Sequence, residues 1–465
     1  MVGVPTSKGC RLCLQRSVKC DEERPSCAQC RRGGRACPGY VREMKFVDQG
    51  PKVRRPRRVA ASAPEKAFQG VDRHHGYLPR YRETGLNVKL NQPSNFKAER
   101  DQILSSFVSA MFPLGSSTVQ ISFLGSWLWH LQPRLGSSAV LDHAALSVAW
   151  AYFAKLQSDP IALRNAEISY LGAVRILASA LDDAKEQLSS NVLCATVLLG
   201  HFETFVSVSH AWIRHAGGAA QLLELRGAER CHESAFEYSM FLACRGAIIS
   251  EALTSGKPCI LESQIWQNIP DGLIEFRLLP ASPDMYHRIF GYFALIPGLQ
   301  SRIRLCNKAT SDERRSGLLS TAQQLRQDMR QWYQEYTSQD KRLRKPHAII
   351  QVSEDYPFRS QYTYHDVMSG TIIVAYYAYL IVLNRSMALL DAADEETSDN
   401  QGLATAICMS VDYCLHAGYC GTQTMRFALP IAHSALPHHY QQWAKKWMDK
   451  FDTIMEATMI QPLYS

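Results

Sequence analysis

The sequence lacks the short motifs that mark the common nucleotide-binding and hydrolytic enzymes. It has no G-x-x-x-x-G-K-[ST] phosphate loop, no G-x-S-x-G nucleophile elbow and no H-E-x-x-H zinc motif. Strict alternation of apolar and polar residues is scarce, which argues against a large β-sheet. The most apolar run, Thr371–Leu383, is far shorter than the ~20 residues that span a bilayer, and it predicts a buried helix. None of these patterns supports catalysis or membrane insertion.

The most informative feature that is present is a group of six cysteines within the first 37 residues. Their spacing is C-x2-C-x6-C, written twice with an offset of 17 residues. Thiolates at such spacing are typical metal ligands, and zinc is the metal they favour. Lys and Arg residues lie between them, so the segment predicts a small module that binds DNA. The six are Cys10, Cys13, Cys20, Cys27, Cys30 and Cys37.

The number of cysteines indicates how zinc would be held. A structural zinc ion takes four ligands, so two separate sites would need eight cysteines. Six are enough when two thiolates are shared, and the repeat suggests Cys10 and Cys27 as the shared pair. Each ion would then bind both shared cysteines, together with Cys13 and Cys20 or with Cys30 and Cys37. Because the module is too short for a hydrophobic core, we expect two zinc ions to supply its folding energy.

A disulfide framework is the alternative for six cysteines in a short segment. The first eight residues contain no apolar core of the kind that a secretory signal has. The other eight cysteines are scattered through an apolar C-terminal region, as in a reduced intracellular protein. We therefore expect zinc ligands in the N-terminal group and buried, apolar thiols elsewhere.

The segment Cys10–Cys37 resembles the fungal binuclear zinc cluster, the six-cysteine DNA-binding domain of fungal transcription factors. Pro25, two residues before Cys27, matches the proline in that family's inter-half loop. The resemblance implies that each half is a short helix followed by an extended strand, with the helix after the second cysteine pointing its end into the major groove. It also implies the shared cysteines given above, recognition of CGG-like triplets, and regulation of RNA polymerase II in the nucleus.

Basic residues around the cysteines are the candidate DNA contacts. The stretch Leu14–Lys19 occupies the family's basic helix, although many members have basic residues in place of Leu14 and Ser17. Because Lys and Arg read the O6 and N7 atoms of guanine, Arg16 is the candidate for a base contact. Phosphate contacts position a protein without specifying sequence. The candidates for them are Lys8, Arg11, Lys19, Arg31, Arg32 and Arg35.

Charge divides the chain into a basic arm and a nearly neutral body. Residues 1–100 hold 22 Lys and Arg against 9 Asp and Glu, whereas the remaining residues hold 29 against 34. Such asymmetry is typical of a nucleic-acid-binding arm. We predict a zinc-cluster domain over residues 8–40, a basic disordered linker over 41–100 and a helical domain over 101–465. A basic run in the linker is a candidate nuclear localisation signal: Lys52, Arg54, Arg55, Arg57 and Arg58.

The C-terminal part predicts an all-helical domain, so the fold class is mainly α. Apolar residues recur at helical spacing, and breakers such as Gly217-Gly218 separate the segments. Residues 270–284 and 340–360 are predicted to be surface loops. The predicted helices are Leu141–Leu156, Ala162–Leu181, Ser190–Val206, Ala211–Leu225, Ala235–Leu253, Leu318–Tyr336, His365–Leu390 and Leu403–Ala417.

The body also resembles a known family. The stretch Ala211–Gly227, which reads AWIRHAGGAAQLLELRG, and the preceding Leu198-Leu199 and Phe202-Glu203 resemble the fungal-specific transcription factor domain. That domain is an all-helical regulatory region found downstream of such clusters, and the resemblance implies regulation without catalysis. The expected partners are double-stranded DNA, the transcription machinery or co-regulators, and a small-molecule effector. The linker shows no sustained heptads, so a homodimer would form elsewhere, or the protein binds DNA as a monomer.

Some residues of the body leave alternatives open. The cluster His201, Glu203, His210 and His215 offers metal-ligating groups, but the spacing favours packed histidines. The aromatic residues Tyr376, Tyr377 and Tyr379 predict core packing or the lining of an effector pocket. The main hypothesis is a transcription factor, in one version specific to a metabolic gene cluster. The alternatives are a helical sensor or enzyme body fused to a DNA-binding zinc module, and an adaptor whose zinc module binds a protein.

Overall fold

The computed structural model of the chain divides into two units, residues 1–88 and residues 89–465. In the smaller unit, two short helices are described, α1 Arg11–Gln15 and α2 Ala28–Arg32. The larger unit is built from helices and one two-stranded sheet. The residues that the structure describes are 10–21, 23, 26–37, 95–111, 126–206, 211–269, 283–306, 310–338, 346–350, 356–390 and 397–454.

The helices of the larger unit confirm the mainly α fold class. Short 3₁₀ turns connect several of them, and β1 His347–Ile350 pairs antiparallel with β2 Ser360–Thr363. The α-helices are α3 Asn95–Met111, α4 Ala139–Gln157, α5 Pro160–Asp182, α6 Ser190–Val206, α7 Trp212–Arg226, α8 Ala235–Ser255, α9 Gln264–Gln267, α10 Pro283–Arg304, α11 Asp312–Ser338, α12 Val367–Met387, α13 Thr397–Met409, α14 Val411–His416, α15 Gly418–His433 and α16 His438–Ile454.

Capping side chains determine where several of these helices begin. The Asp159 carboxylate accepts the amide of Ile161 at the start of α5, and Pro160 occupies the first helical position. The Ser234 hydroxyl caps α8, and the Asp366 carboxylate caps α12. Gly256, in the left-handed region at φ 70°, ends α8. Local sequence therefore defines the boundaries, while burial of the helix faces holds the helices together.

The structure differs from the sequence prediction at several helices. The helix α7 confirms the predicted helix Ala211–Leu225, but Gly217-Gly218 do not act as a breaker. Gly218 packs beside Thr196 of α6, and tertiary contacts outweigh the low helix propensity of glycine. The predicted helix Leu403–Ala417 is interrupted at Ser410. The predicted loop 340–360 contains β1, and α3 crosses the predicted boundary at residue 100. Five described helices of the larger unit were not predicted: α3, α9 and α16, and the two that contain Pro297 and Pro430, α10 and α15.

Two groups of helices share one hydrophobic core. In the first group, α4 packs against α3, α5 and α6, and α7 lies between α6 and α8. In the second, α12 packs against α10, α11, α13 and α15, and α10 joins the groups through α8. Among the described residues, α12 alone is long enough and apolar enough to cross a membrane, and most of it is buried among its neighbours. It contains the buried helix that the run Thr371–Leu383 predicts, and it lies within the predicted helix His365–Leu390.

A buried ion pair joins three helices of the first group. The Arg226 guanidinium at the end of α7 lies 2.6 Å from the Glu237 carboxylate near the start of α8, and only 1% and 6% of their side chains are exposed. The Ser190 hydroxyl at the start of α6 also donates to Glu237. Arg226 Nε donates to the Leu188 carbonyl at 3.0 Å. The neighbouring groups thus supply hydrogen bonds to both charges.

The smaller unit repeats its backbone geometry with the 17-residue offset of its cysteines. Helices α1 and α2 have equal length and start 17 residues apart. Two residues after the end of each helix, the backbone is in the left-handed region, with Ser17 at φ 53° and Gly34 at φ 61°. The next amides, of Val18 and Arg35, donate to the Cys13 and Cys30 carbonyls at 3.1 and 2.9 Å. This is the hydrogen-bond pattern of a Schellman cap, which glycine adopts without strain and serine does not.

We expect Ser17→Gly to stabilise the smaller unit by up to about 1 kcal/mol, because it relieves a left-handed serine. Hydrogen exchange of the Val18 amide in the full-length, metal-loaded protein should slow by up to about fivefold. The matched change Gly34→Ser should accelerate exchange of the Arg35 amide. Equal effects of the two substitutions in the same direction would contradict this account.

We expect Arg226→Met to destabilise the larger unit by about 3–5 kcal/mol, because it leaves the Glu237 carboxylate buried without its counter-charge. Urea denaturation followed by circular dichroism measures the loss. The double variant Arg226→Met with Glu237→Leu should lose less, since no charge remains buried. As a control, Lys445→Met removes the exposed Lys445–Asp449 pair and should change stability by less than about 0.5 kcal/mol.

Candidate metal centre and nucleic-acid interface

The six N-terminal sulfur atoms form two overlapping groups of four. One group is Cys10, Cys13, Cys20 and Cys27, and the other is Cys10, Cys27, Cys30 and Cys37; within each, all Sγ atoms lie within 4.8 Å of one another. Cys10 and Cys27 belong to both groups. Two tetrahedral metal ions that share two thiolates require this grouping, with two cysteines common to both groups and two more in each.

The separations between the sulfurs fit metal coordination. The Sγ atoms of Cys10 and Cys27, and those of Cys13 and Cys27, are 3.7 Å apart, and those of Cys27 and Cys37 are 4.0 Å apart. A tetrahedral zinc ion with Zn–S bonds of about 2.3 Å keeps its sulfurs about 3.8 Å apart. A disulfide needs about 2.05 Å, and all six cysteines are free thiols. The donor set therefore fits a zinc site, and its sulfur separations are not those of disulfide bonds.

Backbone groups of the short helices orient the shared sulfurs. The Cys13 amide donates to Cys10 Sγ, and the Cys30 amide donates to Cys27 Sγ, both at 3.4 Å. Each shared cysteine thus precedes a helix whose first-turn amides favour a thiolate. Burial, together with the contact to Cys10, raises the pKa of the Cys13 thiol to about 12. Holding these sulfurs as thiolates therefore requires compensating positive charge, which a metal ion supplies.

The predicted DNA contacts differ in their accessibility. Arg16, Lys19, Arg32 and Arg35 have exposed side chains. Arg31 is about half exposed and pairs with Glu23 at 2.5 Å, which restricts its reach toward a phosphate. Arg11 is the first residue of α1. Lys8, Pro25 and the predicted localisation signal (Lys52, Arg54, Arg55, Arg57 and Arg58) lie outside the described residues.

An acidic residue that the sequence analysis did not single out fixes the second half. The Asp21 carboxylate accepts the Ala28 amide at 3.0–3.1 Å, at the start of α2. This hydrogen bond holds the pKa of Asp21 below its usual range. Asp21 lies seven residues before Ala28, the first residue of α2. Capping side chains normally lie next to the helix start, so the sequence gives no recognised signal for this contact.

The histidine and glutamate residues of α6 and α7 serve packing. His201 Nδ1 lies 2.6 Å from the Tyr419 hydroxyl, and its ring stacks on Trp127. Burial lowers the pKa of His201 to about 4, so the ring is neutral near pH 7. Glu203 instead accepts from the Tyr170 hydroxyl at 2.5 Å, and the same hydroxyl lies 3.4 Å from His215. Among the described residues, metal-ligating groups converge only at the N-terminal cysteines, and His210 is not described.

The other candidate side chains of the body lie in the core. Tyr376 stacks on Tyr333 with ring centres 4.8 Å apart, and the Tyr377 and Tyr333 hydroxyls are 2.9 Å apart. Tyr379 stacks on Phe293 at 4.1 Å. Most of the eight C-terminal cysteines are buried. Burial raises the pKa of Cys231, Cys244 and Cys259 to about 12, so these thiols are neutral and unreactive near pH 7.

Comparison with known proteins identifies the family of the body. Residues 103–459, well over half of the chain, match the fungal specific transcription factor domain. An uncharacterised protein of Emericella nidulans is 30% identical over 249 residues, which cover 51% of this chain and 53% of that protein. The aspercryptin biosynthesis cluster-specific transcription regulator atnN, of the same organism, is 46% identical over 52 residues, which cover 11% of this chain and 8% of that protein.

The extent of these matches differs greatly. The chain spans about half the length of the first relative and a small part of the second. No solved structure matches the chain. The domain match runs from α3 to the end of the described residues and includes the motif in α7 that suggested it. On that match, the chain belongs to the family of proteins that carry the fungal-specific transcription factor domain.

Proposed function

We propose that this protein is a zinc-dependent, sequence-specific DNA-binding transcription factor that acts on RNA polymerase II promoters in the nucleus. The observation that carries the proposal is the pair of four-sulfur groups that share Cys10 and Cys27, set among exposed basic side chains. Membership in the fungal-specific transcription factor family supports the regulatory role. Residues 8–40 form the DNA-binding domain in this proposal, and residues 41–100 form the basic linker.

The mechanism is binding without chemistry. Zinc, when bound, would supply folding energy to the segment that the structure describes between residues 10 and 37, where the buried cluster consists of cysteines. Arg16 and Lys19 follow α1, so their exposed side chains are carried on a backbone whose position the cysteines fix. Arg16 is proposed to contact guanine in a CGG-like triplet, and Lys19, Arg32 and Arg35 to contact phosphates. Arg31 is a weaker candidate because it is paired with Glu23.

The helical body is proposed to regulate activity through co-regulators, the transcription machinery or a small-molecule effector. The relative atnN is named as a cluster-specific transcription regulator, which supports a role in controlling a metabolic gene cluster. The basic run between residues 52 and 58 is proposed to direct nuclear import.

The first test is an unbiased selection of DNA sequences with the zinc-loaded, full-length protein. We expect enrichment of a CGG-like triplet. Arg16→Ala should weaken binding to the selected site about 10- to 100-fold, since one bidentate contact to guanine is lost. Arg32→Ala should weaken binding to all sequences about equally and reduce its salt dependence. The control Arg314→Ala, an exposed residue of α11, should change nothing. Binding with no enriched sequence would contradict the proposal and favour non-specific DNA binding or the adaptor hypothesis.

The second test concerns the shared cysteines. We expect two zinc ions per chain by elemental analysis, and Cys27→Ser should release both, because Cys27 lies in both groups of four. Cys37→Ser should retain more metal, since Cys37 lies in one group. The control Cys306→Ser, in the body, should keep the full content. Equal losses for Cys27→Ser and Cys37→Ser would rule out the shared arrangement, whatever the DNA selection shows.

A further inference from the structure

Ser17 occupies a backbone position that the second half of the cysteine repeat fills with glycine. Its φ of 53° lies in the left-handed region, and the equivalent residue is Gly34, at φ 61°. The Val18 amide donates to the Cys13 carbonyl, so the cap after α1 holds Ser17 in this conformation. Glycine would adopt it without strain, and strained residues of this kind cluster at functional sites. Stability therefore gives no reason for a serine at this position.

The Ser17 hydroxyl has no structural partner in the described part of the chain. The residue is exposed, and no described residue forms a hydrogen bond with its side chain. It lies in the turn that follows α1, whereas the Ser234 hydroxyl, for comparison, accepts the Glu237 amide as the cap of α8. An exposed hydroxyl in a turn is accessible to a modifying enzyme in a way that a capping hydroxyl is not.

The charges around Ser17 are all of one sign. Residues 11–19 contain three cations, Arg11, Arg16 and Lys19, and no acidic residue, which gives a formal charge of +3. Arg16 and Lys19 are exposed on either side of the serine. Such a segment complements the acidic cleft of a basophilic serine kinase, since opposite charges select partners at an encounter. The same cations are the proposed DNA contacts, so a kinase and DNA would compete for one segment.

We propose that Ser17 is a phosphorylation site, and that its modification switches off DNA binding by the smaller unit. The inference rests on the proposed function, because it takes Arg16 and Lys19 as DNA contacts. In the reaction, the Ser17 hydroxyl oxygen bonds to the γ-phosphorus of ATP and the bond to the β-phosphate oxygen breaks. ADP leaves, and the hydroxyl proton passes to the kinase. The enzyme is a serine kinase that prefers basic residues on both sides of its acceptor.

A phosphate on Ser17 opposes DNA binding through its charge. It carries about −1.5 to −2 charges at pH 7, so the charge of residues 11–19 falls from +3 to about +1. Its oxygens accept charge-assisted hydrogen bonds from neighbouring cations, which withdraws Arg16 and Lys19 from the DNA. Gly34 offers no hydroxyl at the equivalent position, so the switch belongs to the half that carries Arg16.

The first arm of the test asks whether Ser17 accepts phosphate. Zinc-loaded, full-length protein is incubated with ATP and a purified serine kinase of the basophilic class, and mass spectrometry of its peptides locates the phosphate. We expect modification of Ser17, because its hydroxyl is exposed between two exposed cations. Protein that takes up no phosphate at Ser17 would overturn the proposal.

The second arm measures affinity for the selected DNA site by fluorescence anisotropy. Phosphorylated protein should bind about 100-fold more weakly than unmodified protein and with a shallower salt dependence, because two cationic contacts are lost. A serine phosphatase should restore binding. Ser17→Asp should weaken binding about tenfold, whereas Ser17→Asn should not, since both side chains tolerate the left-handed region and only aspartate is charged.

Matched controls separate charge at residue 17 from other effects. Ser17→Gly should bind DNA as the wild type does, before and after kinase treatment, and Ser316→Asp, at an exposed serine of α11, should leave affinity unchanged. Zinc analysis verifies that the variants keep their metal. Equal affinities of Ser17→Asp and Ser17→Asn, or phosphate at Ser17 without weaker binding, would overturn the switch.

Two further outcomes distinguish the switch from its neighbours. A loss of affinity in Ser17→Gly as large as that in Ser17→Asp would also overturn the switch, because the hydroxyl itself would then contact the DNA. Wild-type protein that binds no DNA would contradict the proposed function. Binding that is indifferent to the charge at residue 17 would contradict the switch and leave the proposed function intact.

Discussion

Six sulfur atoms brought within a few ångströms of one another cannot all be ionised unless positive charge lies among them. The smaller unit depends on this constraint, because the fully buried side chains among its described residues are four of those cysteines, Cys10, Cys13, Cys27 and Cys30. A segment of this size has no apolar core to define its helices. The lengths of α1 and α2 and the placement of Arg16 and Lys19 follow from where the sulfurs converge. In the proposed function, the metal content of the unit and its ability to bind DNA are therefore lost together.

The larger unit obeys a different constraint, the burial of apolar surface with every enclosed charge satisfied. Arg226 of α7 forms an ion pair with Glu237 of α8. The hydroxyl groups of Tyr333 in α11 and Tyr377 in α12 are joined by a hydrogen bond. His201 and His215 suggested a metal site in the sequence. In the structure, His201 contacts the Tyr419 hydroxyl and His215 contacts the Tyr170 hydroxyl. Polar side chains that could carry chemistry are in this way occupied in joining helices.

The sequence predicted much of this organisation where a feature is local or repeated. Cysteine spacing gave the grouping of sulfurs, and helical periodicity located α4 to α8 within a few residues. It failed where long-range contacts decide. Pro297 and Pro430 lie inside helices that packing maintains, and the Arg226–Glu237 pair joins separate helices. Periodicity also placed α5 correctly but could not tell which of its apolar residues are buried, because small alanines face the core while larger residues such as Ile161 and Leu171 are exposed.

The two halves of the cysteine segment have the same backbone geometry, but they differ in the interactions that stabilise them. The second half has Gly34 at its left-handed position, Asp21 as a helix cap and the Arg31–Glu23 pair. The first half holds a strained Ser17 at the equivalent position. When the unit opens, the first half should therefore fray before the second. Arg16 and Lys19 lie at that fraying end, so the side chains proposed to read the DNA would lose their order earliest, and recognition would decline before the second half unfolds.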